Sequence, residues 1–423
     1  MTKGLDGRRR RCEDENPFSS PGMKIGVALN LSDLISPEPM ESFLRNTWGS
    51  KIKLYKGPND RFSQLFSWHD LSRLITEHRH LHPRLRLSKE GQVIPRQRFM
   101  KQPAGARDGH DSIDVPSLYA ELRNGAMLVL DSVDELVSEI RSIAWNLENV
   151  FRERVVINAY AGWSHTEGFD LHWDDHDVII MQIYGSKQWN MFGETRAWPM
   201  KRDVEPNEEA PKRPIRSLVV SAGDVLYVPR GNWHQVRAVD LPSLHLTIGV
   251  TRRTGHDFLV WVADDLINDP LTRQDIPRHH QEAEIDAYIE EVRERVLDRI
   301  QPANLRRFLY TCDTTADISP RVSLGALDAS CRIADDHVIE WLAPRAVLHR
   351  PVGDTVSLGA GGRLWTYNRL GVEVLRLLMH QRRLSFGELM AALPAESRPV
   401  AASFVRELQE AGLVSVDSLP RRR

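Results

Sequence analysis

From Val155 to about Val250 the chain is built of short runs rich in β-branched and aromatic residues, separated by turn signals. The runs are Val155-Val156-Ile157, Val178 to Tyr184, Gln188 to Phe192, Leu218-Val219-Val220, Val225 to Val228 and Leu244 to Val250. Such a pattern predicts an antiparallel sandwich or barrel. Met200 to Arg216 interrupts it with charge and proline and reads as a surface insertion.

Within this region stands His172-Trp173-Asp174. In a strand, residues i and i+2 share a face, so the His and the Asp would look into one cavity. A second His completes the set. Gly223 is followed by five residues, Pro229, four more residues and His234. Asp224 to Val228 reads as a strand entering the turn Pro229-Arg230-Gly231, which sets His234 at a barrel rim. Two His and one carboxylate on one side of an ion leave open positions for other ligands, and favour non-heme Fe(II).

An isolated His-x-Asp is a weak signal. Joined to the Gly-Pro-His spacing in a strand-rich region it becomes strong. His176 shares the expected face, but three ligands along one strand would be nearly collinear and could not surround an ion. Asp175 and Asp177 face the other way. His245 reads as a packed or hydrogen-bonded core histidine, and His165 as a loop residue near the entrance. An iron enzyme that uses 2-oxoglutarate also needs a cation for the distal carboxylate. Lys187 would fit if it faced inward, because a buried lysine calls for an anion. On position alone it reads as a solvated turn lysine after Gly185-Ser186.

The flanks are helical. The segment 23–57 is expected to begin extended, with a helix from Pro37 to Trp48 and a strand from Lys51 to Tyr55. Ser67 and Asp70 form a capping pattern before a helix burying Leu71, Leu74 and Ile75. Residues 101–115 read as a loop. Leu136, Ile140, Ile143 and Leu147 predict a helix from Ser132 to Phe151. Beyond residue 255, Ile285, Ile289, Val292, Val296 and Ile300 mark one apolar helix face opposite Glu and Arg. That face packs within the chain or in a dimer. The region 345–418 reads as strands joined by a turn at Gly359 to Gly362, then helices at Leu370 to His380, Phe386 to Leu393 and Pro399 to Ala411. Gly412 is the expected C-cap, before the strand Leu413 to Val416. The layout is winged-helix-like.

Composition narrows the classes. The net charge of -2 gives no global case for a nucleic-acid or membrane partner. No run is long and apolar enough to span a bilayer. Residues 1–22, with Arg8 to Arg11, read as a disordered basic tail without a secretory signal. Cys12, Cys312 and Cys331 have neither zinc-finger nor redox spacing and read as reduced cytoplasmic thiols.

Asn158-x-Tyr160, Gly168, His172-x-Asp174-Asp175, Gln182, Gly185 and Lys187-x-Trp189 occur in an order that resembles the JmjC-type ribosomal oxygenases, cupin-like hydroxylases. Pro229-Arg230-Gly231, His234 and Ser243 to Ile248 continue the resemblance. It is tight over 155–250 and looser over 23–150. It implies an α+β fold: a double-stranded β-helix (JmjC/cupin) barrel with flanking helices over 23–254, a helical dimerisation segment over 255–340 and a winged-helix-like domain over 341–423. It further implies Fe(II) on His172, Asp174 and His234, and 2-oxoglutarate on Lys187, supported by Asn158, Thr247 and Tyr160. Tyr184 and, near the entrance, His165 would line the substrate pocket. The implied reaction is hydroxylation of a C–H bond in an amino-acid side group of a ribosomal protein or a biosynthetic precursor peptide, by a cytoplasmic homodimer.

Three rivals stand beside it: N-methyl demethylation by the same oxidant, a metal-binding cupin without turnover, and a ligand-sensing regulator reading DNA through 345–418. The expected third helix there carries only Arg398 and Arg406 beside Glu396, Glu407 and Glu410. That is a thin basic face for DNA, so a protein-interaction or buttressing role is the expectation.

Overall fold

The structure, a computed structural model, describes residues 29–77, 83–101, 112–163, 168–204, 210–324 and 332–418. The basic tail, His165, Cys12, Cys331 and most of the 101–115 loop lie outside them. The chain divides into two compact units. The first takes residues up to Ala144 and Val155–Thr251, and the second Trp145–Arg154 and the chain from Arg252 onward.

In the first unit α1 (Leu31–Ile35) and α2 (Met40–Asn46) precede β1 (Lys53–Tyr55) and α3 (Trp68–Glu77). The helix expected from Pro37 to Trp48 is shortened to α2, which starts after its N-cap Pro39, since Pro37 and Pro39 lack the N–H a helix needs and push the preceding residues out of helical geometry. The extended opening expected from residue 23 lies mostly outside the described residues; α1 is capped by Asn30, whose side-chain oxygen accepts from the Asp33 N–H. The Ser67 cap is present: Ser67 Oγ accepts from the Asp70 N–H at 3.2 Å, and Asp70 Oδ2 from the Ser67 N–H at 3.0 Å. Leu71 and Leu74 are buried beneath it.

Next come β2 (Leu85–Lys89), β3 (Gln92–Val93), β4 (Met100–Lys101), β5 (Ser112–Ile113), α4 (Val115–Arg123) and β6 (Met127–Leu130). The expected helix from Ser132 is interrupted at extended Val137, giving α5 (Val133–Leu136) and α6 (Ser138–Phe151). The barrel strands follow: β7 (Arg154–Gly162), β8 (Asp177–Glu194), β9 (Arg216–Ser221), β10 (Val225–Val228) and β11 (Asn232–Thr251). Nine strands form one sheet in the order β1-β10-β8-β11-β7-β6-β2-β3, with β9 on β8.

The two long strands organise the unit. β8 and β11 pair antiparallel over nearly their full length, with register shifts between Trp233 and His234 and again from Ala238 to His245. Gly185-Ser186 is therefore an irregularity within one strand, where the sequence suggested a turn between two. Gly185 has φ +69, the left-handed conformation that favours glycine at a bulge. A second correction concerns His172-x-Asp174. The pair lies before β8 and outside the ladder. His172 makes a single bridge to His234, and the Asp174 carbonyl takes the Gly231 N–H at 2.9 Å. The pair is held by the β10–β11 turn and not by strand alternation. Val178, Ile180, Trp189, Met191, Leu218, Val220, Leu226 and Val228 pack as a core.

The second unit contains α7 (Gly255–Leu266), α8 (Glu282–Arg299) and α9 (Pro302–Thr314). α8 carries the expected apolar stripe, yet none of its residues is buried. Then come β12 (His337–Trp341), β13 (Val347–Leu348), β14 (Thr355–Ala360), β15 (Arg363–Asn368), α10 (Val372–Gln381), β16 (Arg383–Ser385), α11 (Phe386–Ala392), α12 (Arg398–Glu410) and β17 (Val414–Ser418). They form the sheets β16-β12-β17 and β13-β14-β15, over a core that includes Trp341, Leu375, Leu389 and Leu408. The β14–β15 turn uses Gly361 and Gly362, both with positive φ, and Gly412 ends α12 at φ +71. These ends stand where the sequence put them.

Candidate metal and dicarboxylate site

The first unit holds a cavity of about 490 Å³, within the usual range for a small-molecule site. Strand alternation lines it. From β7 it takes Val156, Asn158 and Tyr160, while Val155, Ile157 and Ala159 turn into the core. From β11 it takes His234 and Val236, then His245, Thr247, Gly249 and Thr251. From β8 it takes Val178, then Lys187 and Trp189. Val178 and Lys187 are an odd number of positions apart, as are Val236 and His245. In an uninterrupted strand each pair would face opposite sides. The irregularity at Gly185 and the register shifts opposite it bring both halves of each strand to one cavity.

His172, Asp174 and His234 converge there, their ligand atoms all within 4.8 Å of one another. The two histidine backbones exchange hydrogen bonds, His234 N–H to His172 O at 2.7 Å and His172 N–H to His234 O at 3.2 Å. His172 Nδ1 donates to the Asp170 carbonyl at 2.7 Å, and His234 Nδ1 to the Asn232 carbonyl at 2.9 Å. A carbonyl only accepts, so each Nδ1 carries the proton and each Nε2 keeps its lone pair, as a metal ligand must. His234 Nε2 is 3.6 Å from Asp174 Oδ2. Burial first, and then the neighbouring His172 ring, lower the His234 pKa to about 4. Asp177 is fully buried and fixes the turn behind His234, accepting from the Arg230 N–H at 2.9 Å and the Tyr227 hydroxyl at 3.2 Å.

Lys187 is buried, not solvated, with 4% of its surface exposed. Its one hydrogen-bond partner among the described residues is the Met127 sulfur at 3.8 Å. Burial lowers its pKa to about 7. Arg86, the other cation lining the cavity, is already bound by Asp131 through two hydrogen bonds of 2.7 and 2.8 Å. The free positive charge at this end is therefore that of Lys187. His245 is no ordinary core histidine. It lines the cavity, stacks on Tyr160 at 4.9 Å, and leaves Nδ1 buried without a partner among the described residues, as Trp189 leaves Nε1. Two imidazole nitrogens, a carboxylate, an unpaired ammonium and these unsatisfied atoms suit a divalent cation beside a small dicarboxylate.

Asn158, Tyr160 and Thr247 line the cavity. Asn158 Oδ1 also accepts from the Ser132 N–H at 2.8 Å. Tyr184 does not line the cavity. It is 41% exposed, with Trp68 at 6.1 Å and Trp163 beyond it at 5.2 Å from Trp68. His176, set aside as a ligand, does line the cavity and bonds Asp175. The His-x-Asp segment is not a strand, so collinearity was not the reason it stays outside the triad. Residues Arg86, Met127 and Phe169 gave no sequence signal for this role. They come from scattered elements.

Residues 135–258 match the family model described as the JmjC domain. That stretch of the chain carries a JmjC domain. Its JmjC region is similar to that of the Drosophila pseudoobscura pseudoobscura protein named bifunctional lysine-specific demethylase and histidyl-hydroxylase NO66. The two are 23% identical over 53% of this chain and 23% of that protein. Rat ribosomal oxygenase 2 is 26% identical over 80% of this chain and 69% of its own length. The chain spans less than half the length of the first curated relatives it matches. The Escherichia coli ribosomal oxygenase YcfD has a similar fold, with TM-score 0.56, 17% identity and coverage of 90% of this chain and 98% of its own. That protein has also been solved with cobalt and 2-oxoglutarate, a structure matching this chain at TM-score 0.55.

Proposed function

We propose that the chain is an Fe(II)- and 2-oxoglutarate-dependent oxygenase that hydroxylates a C–H bond of an amino-acid side chain in a protein or peptide. One observation carries the reading: a cavity that pairs a His-Asp-His cluster with a buried lysine that has no anionic partner among the described residues. His172, Asp174 and His234 would hold the iron. Lys187 would bind the distal carboxylate of 2-oxoglutarate, with Tyr160, Asn158 and Thr247 around it. Bound together, iron and 2-oxoglutarate supply an O₂-derived oxidant strong enough for an unactivated C–H bond. The protein's own contribution is orientation and dryness. The Nδ1–H bonds of His172 and His234 fix both rings before metal arrives, and the buried Lys187 end keeps water from competing for the carboxylate.

The names of the relatives support a ribosomal protein as substrate, and the exposed stripe of α8 supports a homodimer. The arrangement of α10, α11 and α12 with β12, β16 and β17 supports a winged-helix-like domain with a buttressing role. Among the described residues no helix is long and apolar enough to cross a membrane.

The test is anaerobic titration of the metal-free full-length protein with Fe(II) and 2-oxoglutarate, following the visible charge-transfer band. A band in the wild type that is lost in His172→Ala and weakened in Lys187→Ala supports the cofactor pair. Well-folded wild type without a band overturns it. Mass spectrometry of ribosomal proteins treated with the loaded enzyme then separates gain of one oxygen from loss of a methyl group.

A further inference from the structure

Resting on the oxygenase reading above, we infer that His176, held by Asp175, is the residue that positions the target side chain, by accepting a hydrogen bond from an N–H on it. The cavity has two polar ends. Lys187, Tyr160, His245 and Thr247 form one, and His176, Val156, Gly249 and Thr251 the other. Val156 and Tyr160 stand on one face of β7, about 13 Å apart at the rise of a strand. Asp174 lines the cavity together with its partners in the cluster, His172 and His234. A dicarboxylate held by Lys187 would fill the first end. The C–H bond to be oxidised must approach from the second.

His176 is prepared for that approach. Its Nδ1–H donates to Asp175 Oδ1 at 2.8 Å, which fixes the ring and leaves Nε2 as the free nitrogen. Nε2 makes no hydrogen bond among the described residues, although the ring lines the cavity. The metal does not require it, because His172, Asp174 and His234 form the cluster without it. Gly249 makes room for the ring: a Cβ there would lie 2.9 Å from His176 Cδ2 and 3.1 Å from Nε2. A hydrogen-bonding site of this kind discriminates strongly against a side chain lacking the donor, since Nε2 would then be buried unpaired.

The experiment uses the full-length protein loaded anaerobically with Fe(II) and 2-oxoglutarate. Absence of the charge-transfer band in the wild type means that the oxygenase reading itself has failed. With the band present, acetyl-Gly-Gly-X-Gly-Gly amides, X being arginine, glutamine or leucine, are titrated to millimolar concentration and the band shift is followed. The arginine and glutamine peptides are expected to shift it at concentrations at least about tenfold below the leucine peptide. His176→Leu should keep the band and lose the preference. His176→Gln, which retains an acceptor, should keep part of it. Gly249→Ala, which leaves the imidazole intact but displaces it, should weaken it. Loss of the band in both His176 variants would make His176 a metal ligand and overturn the inference. So would a leucine peptide that binds equally well, no shift with any peptide, or a preference surviving in His176→Leu.

Discussion

At the scale of single residues, Lys187 sets function against stability. A lysine buried without an anion costs the ligand-free protein free energy, which the dicarboxylate returns on binding. Lys187→Met should therefore weaken 2-oxoglutarate binding by about 30-fold or more, the effect of removing about 2 kcal/mol of buried ion pairing. The same change should raise the stability of the ligand-free protein by about 1–3 kcal/mol, read from urea unfolding. A variant that loses both affinity and stability would contradict this account. The pH dependence follows from the same residue. Burial lowers the folded-state pKa of Lys187 to about 7, below that of an exposed lysine near about 10.4. Between those values the unfolded protein binds the proton and the folded protein does not, so this contribution to ligand-free stability grows as pH rises through the window. Dicarboxylate binding needs the ammonium form. Its dissociation constant should increase about tenfold per pH unit above about 7, until the pKa of the bound state is reached. Calorimetry across that range in two buffers of different ionisation enthalpy should also show proton uptake on binding. A flat profile would mean that Lys187 is not the carboxylate partner.

At the scale of elements, the site depends on two long strands that change face part-way. Lys187 reaches the cavity because β8 is irregular at Gly185, and His245 reaches it because β11 shifts register opposite. Gly185 has φ +69, and a Cβ there would stand 2.5 Å from the Pro242 carbonyl oxygen. Gly185→Ala should cost at least about 1–2 kcal/mol from the left-handed backbone alone, with the clash in addition. Its functional signature should be specific. 2-Oxoglutarate affinity should fall while Co(II) still binds, because His172, Asp174 and His234 lie away from the irregularity. Equal loss of both would show that Gly185 supports the whole unit and not the face change. This feature also marks where sequence reading stopped. The triad was legible because its three residue types at their spacing have few other uses, although the strand invoked for His172 and Asp174 does not exist there. The inward turn of Lys187 was not, because period-2 reasoning assumes an unbroken ladder and a Gly-Ser pair reads equally well as a turn. The cap at Ser67, the glycine turn at Gly361-Gly362 and the end of α12 were legible because each is decided by chemistry within a few neighbouring residues.

At the scale of the whole molecule, the second unit leaves an apolar surface without a partner. On α8 and its C-terminal end Ile285, Ile289, Leu297 and Ile300 are 37%, 54%, 52% and 42% exposed, and on α9 Leu305 and Leu309 are 43% and 47% exposed. A helix of eighteen residues with no buried position gains little from the fold that holds it, since helical stability in proteins comes chiefly from packing an apolar face. The sequence showed the stripe but not whether the protein itself covers it, because the periodicity of one helix says nothing about its neighbour. A second copy of the protein, applying the same stripe about a two-fold axis, covers both at once. An interface of that kind needs about 1,200–2,000 Å² of total buried area, which a pair of long helices with α9 alongside can supply. Sedimentation at micromolar concentration should give a dimer. Ile289→Arg, placing a charge at the most exposed isoleucine of the stripe, should shift it to monomer with little change in the far-ultraviolet helical signal. The iron and 2-oxoglutarate band should persist in that monomer, since every residue lining the cavity belongs to the first unit. A monomeric wild type would leave the stripe to another partner, and a band lost on dissociation would mean that the site depends on the assembly.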